Sequence, residues 1–216
     1  MKAAGKEIKP GITEVRAGMA STSVNEGSRQ RHQGRNFTMP GITVVATIKE
    51  TTMNYVLIGL PGSGKSTLGV LLAKYLGYSF LDADIVIQES TGKLLREIIE
   101  EAGPEGFIEV ENKIGCGINV DRTVIATGGS AVLGREAMEH YRESGKIIYL
   151  EMSYEEMLRR VSSDLRKRGV VLREGQTPKD MYEERCKLYT TYADFTIAEE
   201  QLNMEETLQK ILDHIF

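Results

Sequence analysis

Residues 59–67, Gly59-Leu60-Pro61-Gly62-Ser63-Gly64-Lys65-Ser66-Thr67, fit the pattern G-x-x-x-x-G-K-[ST], and no other stretch constrains the chain so strongly. The pattern needs a strand that delivers the backbone to a tight turn and a helix that carries it away. Only then do several backbone N–H groups converge on one anion. Both flanks comply. Asn54-Tyr55-Val56-Leu57-Ile58 is a short apolar run that reads as a buried strand. Ser66 to Leu76 reads as a helix whose N-terminus faces the anion. A chance glycine-rich turn would not bring strand, loop and helix in that order. Each residue type then has a task. Gly59, Gly62 and Gly64 let the backbone turn, and Gly62, Ser63, Gly64 and Thr67 supply the cradle. Lys65 places a point charge against the terminal phosphates of a nucleotide, and the Ser66 hydroxyl can ligate Mg²⁺.

The rest of the chain alternates as such a loop requires. Strand-like runs at Tyr55–Gly59, Ser79–Asp82, Thr123–Ala126, Lys146–Glu151 and Asp194–Ala198 are separated by helical patterns. These are Lys65–Leu76, Asp84–Thr91, Leu94–Ala102, Glu105–Cys116, Gly134–Glu143, Tyr154–Asp164, Pro178–Tyr192 and Met204–Ile215. Five strands alternating with helices predict an α/β fold whose parallel sheet is covered on both faces. The first 52 residues differ. They hold eight Lys and Arg against four Glu, a net +4, while the whole chain is −4, so the remainder carries −8. Within them only Gly41–Ile48 reads as a strand. We expect residues 1–52 to be a disordered extension, or sequence upstream of a start at Met53, and residues 53–216 to be the catalytic domain. No apolar run is long enough to span a membrane. The negative charge argues against nucleic acid as a partner. Two distant cysteines, Cys116 and Cys186, and three scattered histidines form no metal-ligand pattern, and a reducing cytoplasm suits them. We expect a monomer.

Three further stations lie where ligands bind in open α/β sheets, beyond the C-terminal ends of the strands. Asp82-Ala83-Asp84 follows the second strand. If extension continues, alternation puts both carboxylates on one side, one to hold metal through water and one to bind an acceptor hydroxyl. The competing reading is a helix N-cap at Asp84. Thr127-Gly128-Gly129-Ser130 follows the third strand, and its adjacent glycines permit a close approach to a ligand. Arg166-Lys167-Arg168-Gly169 is a basic stretch where a flap could close over phosphates. A solvated basic turn is the plain alternative there. Helix-dipole complementarity is the plain alternative for Arg159 and Arg160, and ordinary surface charge for Arg185.

Taken together, residues 53–216 resemble the shikimate kinase family. The likeness rests on the glycine-rich loop, Phe80-Leu81-Asp82-Ala83-Asp84, Gly103-Pro104-Glu105-Gly106-Phe107, Glu111, Val124-Ile125-Ala126-Thr127-Gly128-Gly129, the basic flap, and Arg185 before Leu188-Tyr189. The resemblance implies a sheet of five parallel strands in the order 2-3-1-4-5, flanked by helices, with a mobile flap. It implies transfer of a phosphoryl group from ATP, with Mg²⁺, to a hydroxyl of a small molecule, shikimate by default. It also implies roles. Lys65, Asp84 and Arg168 would be catalytic. Ser66 and Asp82 would hold the metal, and Arg160 would stack on adenine. Asp84, Gly128, Gly129 and Arg185 would bind the acceptor, Arg185 through its carboxylate. Three positions depart from the family pattern. Ile108 stands where an arginine normally follows Phe107, Ser130 where a third glycine is usual, and Gly169 where the flap has proline. The first change removes a planar cation from the acceptor pocket and leaves Glu111 without its partner. A hydroxy amino acid whose ammonium meets Glu111 is therefore an alternative acceptor. A nucleoside monophosphate kinase and a nucleotide-binding regulator without transfer activity are the others.

Overall fold

The computed structural model describes residues 53–161, 170–198 and 202–216, together with the backbone of two strands at 35–39 and 42–46. The chain divides into two units, Met1–Lys49 and Glu50–Phe216. In the first, strands β1 (Arg35–Met39) and β2 (Ile42–Ala46) pair antiparallel, with Phe37 opposite Val44. The strand expected within Gly41–Ile48 is thus β2.

The second unit is built on β3 (Asn54–Gly59), β4 (Ser79–Asp82), β5 (Thr123–Ala126), β6 (Gly145–Glu151) and β7 (Phe195–Ala198). Their order is β4-β5-β3-β6-β7, all parallel, which is the expected 2-3-1-4-5 arrangement. The central strand shows why the sequence folds this way. Every residue of β3 is buried, so alternation divides its apolar side chains between two cores. Tyr55 and Leu57 join Val124, Ile148 and Leu150 beneath helices α1 (Lys65–Leu76) and α7 (Met204–Ile215). Val56 and Ile58 join Ile125, Ile147 and Tyr149 on the other face, against α4 (Arg135–Ser144) and α6 (Pro178–Tyr192). The Asn54 side chain accepts from Thr123 N at 3.0 Å and donates to the Val120 carbonyl, which sets the start of β5 beside β3.

Local signals fix the helix ends. α6 starts on Thr177 with Pro178 in its first turn and a reciprocal Thr177–Asp180 capping box, and α7 starts on the equivalent Asn203–Glu206 pair. The short helix α5 (Tyr154–Arg160) is capped by Ser153. The two helical patterns predicted on either side of Gly103-Pro104 both form within α3 (Leu95–Cys116), and they are separated by a kink at Gly103, whose φ of 74° and ψ of 176° are not helical. The bend turns the second half of α3, with Phe107 and Glu111, toward the strand ends.

Candidate active site

All the candidate stations that fall in the described residues gather at the C-terminal edge of the sheet, around a cavity of about 450 Å³. One end is the glycine-rich loop. Gly62 and Gly64 take φ near +80°, so the chain turns through backbone that only glycine adopts cheaply. Gly62, Gly64, Lys65, Ser66 and Thr67 line this end, and Ser63 is buried behind it. Lys65 opens α1, and its ammonium group donates to the carbonyls of Gly59 and Leu60 at 2.8 and 2.9 Å and to Ser63 Oγ at 3.3 Å. A fixed cation, a helix N-terminus and glycine backbone facing one space make a phosphate cradle. The Ser66 hydroxyl donates to Asp82 Oδ2 at 2.6 Å. Hydroxyl and carboxylate are hard oxygen donors, a set that fits Mg²⁺. Arg160, at the end of α5, flanks the loop, with its guanidinium on Glu156 and on the Gly62 carbonyl at 3.3 Å.

The extended course expected through Asp82-Ala83-Asp84 does not occur, because α2 (Ala83–Thr91) begins at once. Asp82, not Asp84, is the N-cap, and its Oδ1 accepts from Asp84 N at 3.0 Å. The two carboxylates still serve different ends of the cavity. Asp82 meets Ser66, while Asp84, one residue into the helix, lines the cavity opposite Gly128. Burial raises the Asp84 carboxyl above the usual range. Neighbouring Asp82 adds to that, and Lys65 opposes it.

The other end of the cavity is lined by Leu95, Phe107, Thr127, Gly128, Gly129, Ser130 and Val170. Close approach explains the glycine at 128. A Cβ there would collide with Glu111 Oε1 and lie 2.8 Å from Asp84 Oδ1. Among the described residues no arginine bonds to Glu111, but it is not free. Ser130 donates to Glu111 Oε2 at 2.6 Å, while Oε1 is buried with no partner. Burial pushes this carboxyl up to about 7. The Ser130 bond opposes the rise, Asp84 adds to it, and Arg185 and Lys65 oppose it.

Arg185 is 2% exposed and is absent from the cavity lining. Its guanidinium donates to the Gly129 carbonyl at 3.0 Å and to the Val171 carbonyl, and its Nε has no partner. Tyr189, one helical turn on, adds its hydroxyl to the same Gly129 carbonyl at 2.6 Å. Ile108 also lies off the lining, packed against the cluster of Ile87, Ile98, Phe107 and Val171. Arg166, Arg168 and the flap around them lie outside the described residues. Sequence reasoning missed Leu95 and Val170 in the lining, gave Tyr189 no role, and missed the Ser130–Glu111 bond. One signal was available. Phe107 and Glu111 are four apart on a helix, so they share a face.

A family model described as shikimate kinase matches residues 61–216. The shikimate kinase of Haemophilus influenzae (strain PittEE) is 34% identical over 170 residues, covering 75% of this chain and 92% of that protein. The shikimate kinase of Moorella thermoacetica is 40% identical over 147 residues, covering 67% of this chain and 83% of that protein. Among solved structures, shikimate kinase from Acinetobacter baumannii in complex with shikimate superposes with a TM-score of 0.66 at 32% identity, covering 77% of this chain and 94% of that one.

Proposed function

The chain belongs to the shikimate kinase family, whose members are phosphotransferases acting on a hydroxyl group, and we propose that it transfers the γ-phosphoryl group of ATP to a hydroxyl of shikimate. The observation that carries this reading is one cavity with Lys65 and the glycine loop at one end and Asp84 with Gly128 at the other. Shikimate enters because the solved relative was captured with it. In this reading the loop N–H groups and Lys65 hold the nucleotide phosphates, and Ser66 and Asp82 would hold Mg²⁺, which would supply charge neutralisation to the transfer. Asp84 accepts a hydrogen bond from the acceptor hydroxyl and orients its oxygen toward the γ-phosphorus. A new O–P bond forms, the bond to the ADP oxygen breaks, and the hydroxyl proton passes to Asp84. The raised Asp84 carboxyl suits that last task. Most of the acceleration comes from positioning and charge neutralisation.

Arg160 flanks the adenine, Arg168 reaches the phosphates, and Gly128, Gly129 and Arg185 contribute to the acceptor end, Arg185 by reaching the carboxylate. The enzyme works as a cytoplasmic monomer without nucleic acid. Among the described residues no helix is long and apolar enough to cross a membrane. Residues 53–216 form the catalytic unit and 1–52 are dispensable. The test is ADP release by the purified chain with shikimate, gluconate, hydroxy amino acids and nucleoside monophosphates, repeated with a chain starting at Met53. Turnover with shikimate in both chains supports the reading. Turnover only with another acceptor replaces shikimate, and none beyond background favours a nucleotide-binding regulator.

A further inference from the structure

The segment 170–176 leads from the active cavity to the start of α6, and Val170 borders two cavities at once. One is the active cavity. The other, of about 850 Å³, is bordered by residues 172–176 and by Arg96, Ile99 and Pro104 of α3. Open space on that side leaves the segment without packed backing there. Polar bonds from two consecutive residues of α6 hold it instead. Arg185 donates to the Val171 carbonyl. Glu184 accepts from Arg173 Nη1 at 2.6 Å through Oε1 and from Gln176 Nε2 at 2.7 Å through Oε2. Both oxygens of one carboxylate thus serve one turn. That turn is also closed from within. Gln176 N donates to the Arg173 carbonyl at 3.1 Å, and Arg173 N donates to Gln176 Oε1 at 3.2 Å. Gly175 takes the φ of 74° that a type II turn asks of its third residue. Arg173 reaches Glu105 of α3 as well, at 3.5 Å, but that side chain is 68% exposed and the pair is loose.

We infer that Glu184 is a positioning residue for the acceptor: it holds Arg173 and Gln176, these fix the turn, and the turn sets where Val170 stands against the bound acceptor. Arg173 is its main partner. The two side chains are each more than a third exposed, or nearly so, at 39% and 35%, and such a pair adds little to global stability. Its loss therefore shows in the placement of the cavity wall more than in folding. A wall displaced by a fraction of an ångström changes how the acceptor is held, since reactivity depends steeply on that geometry. The inference rests on the phosphotransfer reading for the identity of the cavity that Val170 lines.

The test compares the full-length wild type with Glu184→Ala, Glu184→Gln and Arg173→Met in steady-state kinetics. In Glu184→Ala, KM for shikimate should rise about three- to tenfold, with kcat within about twofold and KM for ATP unchanged. Glu184→Gln keeps the length and one acceptor oxygen, so it should lie between wild type and Glu184→Ala. Arg173→Met should raise KM less than Glu184→Ala, because Gln176 still reaches Glu184. A merely structural bond would lower the folded fraction, and kcat with it, and leave both KM values at wild type. That result, or an equal rise in both KM values, overturns the inference. Hydrogen exchange followed by mass spectrometry reads the turn without turnover. Peptides covering 170–177 should exchange up to about tenfold faster in Glu184→Ala, with β3 unchanged. Unaltered exchange there overturns the inference. If shikimate is not turned over, the acceptor reading fails, and the exchange of 170–177 alone then decides whether Glu184 holds the wall.

Discussion

The two ends of the cavity are specified in different ways. The phosphate end is nine consecutive residues whose backbone does the binding, so its chemistry is written in local sequence. The other end is lined from α2, α3, the turn after β5 and Val170, residues far apart in sequence, with Arg185 and Tyr189 of α6 bracing the turn from behind. A change at one of its members is read only through the others. Ile108 removes a cation, Ser130 supplies a hydroxyl, and Glu111 links the two changes. A backbone-defined site tolerates little drift, because its donors cannot be exchanged. A side-chain-defined site can be rebuilt in place.

Breaking the phosphate end should give the largest effect. Lys65→Ala should lower kcat roughly a hundred- to thousandfold, the scale for removing one preorganised electrostatic group, with circular dichroism unchanged. Near wild-type turnover in a folded variant would remove this end from the chemistry.

The acceptor end should reveal itself through stability against pH. The folded-state carboxyl of Glu111 is raised from 4.5 to about 7, so between those values the native protein binds more protons than the unfolded chain. That contribution is complete below about pH 4.5 and is lost as pH rises through 7. Relative to Glu111→Gln, wild type should lose on the order of 3 kcal/mol across this window in urea unfolding. A constant gap between the two would mean that Glu111 is ionised throughout.

Arg185 sharpens the contrast further. In the structure it braces the Gly129 and Val171 carbonyls. Arg185→Met should therefore destabilise the fold by about 2 kcal/mol, because the Val171 carbonyl loses its guanidinium donor while the Gly129 carbonyl keeps only the Tyr189 hydroxyl. If Arg185 also reaches an acceptor carboxylate, KM should rise more for shikimate than for its methyl ester. An equal rise for both would confine Arg185 to bracing.

The smallest effect should come from Ile108→Arg. Its side chain packs against the cluster of Ile87, Ile98, Phe107 and Val171 and is not part of the cavity lining, so KM for shikimate should change by less than about threefold, at a cost of about 1 kcal/mol in stability. A tenfold drop in KM would show that a guanidinium at 108 reaches the acceptor after all.

The strands and helices were legible as short apolar runs alternating with helical patterns, and Gly103-Pro104 marks the break in α3, whereas the sheet order came from the family resemblance alone. The phosphate end was legible for the same local reason. At Asp82-Ala83-Asp84 sequence reasoning erred. Alternation assumed a continued strand, whereas the Asp82 side chain captures the Asp84 N–H and starts a helix. The partnership of Ser130 with Glu111, 19 residues apart in sequence, depends on how α3 bends and docks, and no local pattern encodes that.

The central claim is that one cavity joins a nucleotide phosphate to an acceptor hydroxyl held by Asp84. ADP release alone does not separate transfer from hydrolysis, so the direct measurement is phosphorus NMR of the full chain with ATP, Mg²⁺ and shikimate. Wild type should build up a shikimate phosphate monoester matched to ADP, and Asp84→Asn should lose that signal while still binding nucleotide. Inorganic phosphate in place of the monoester, or a monoester formed equally well by Asp84→Asn, would contradict the account.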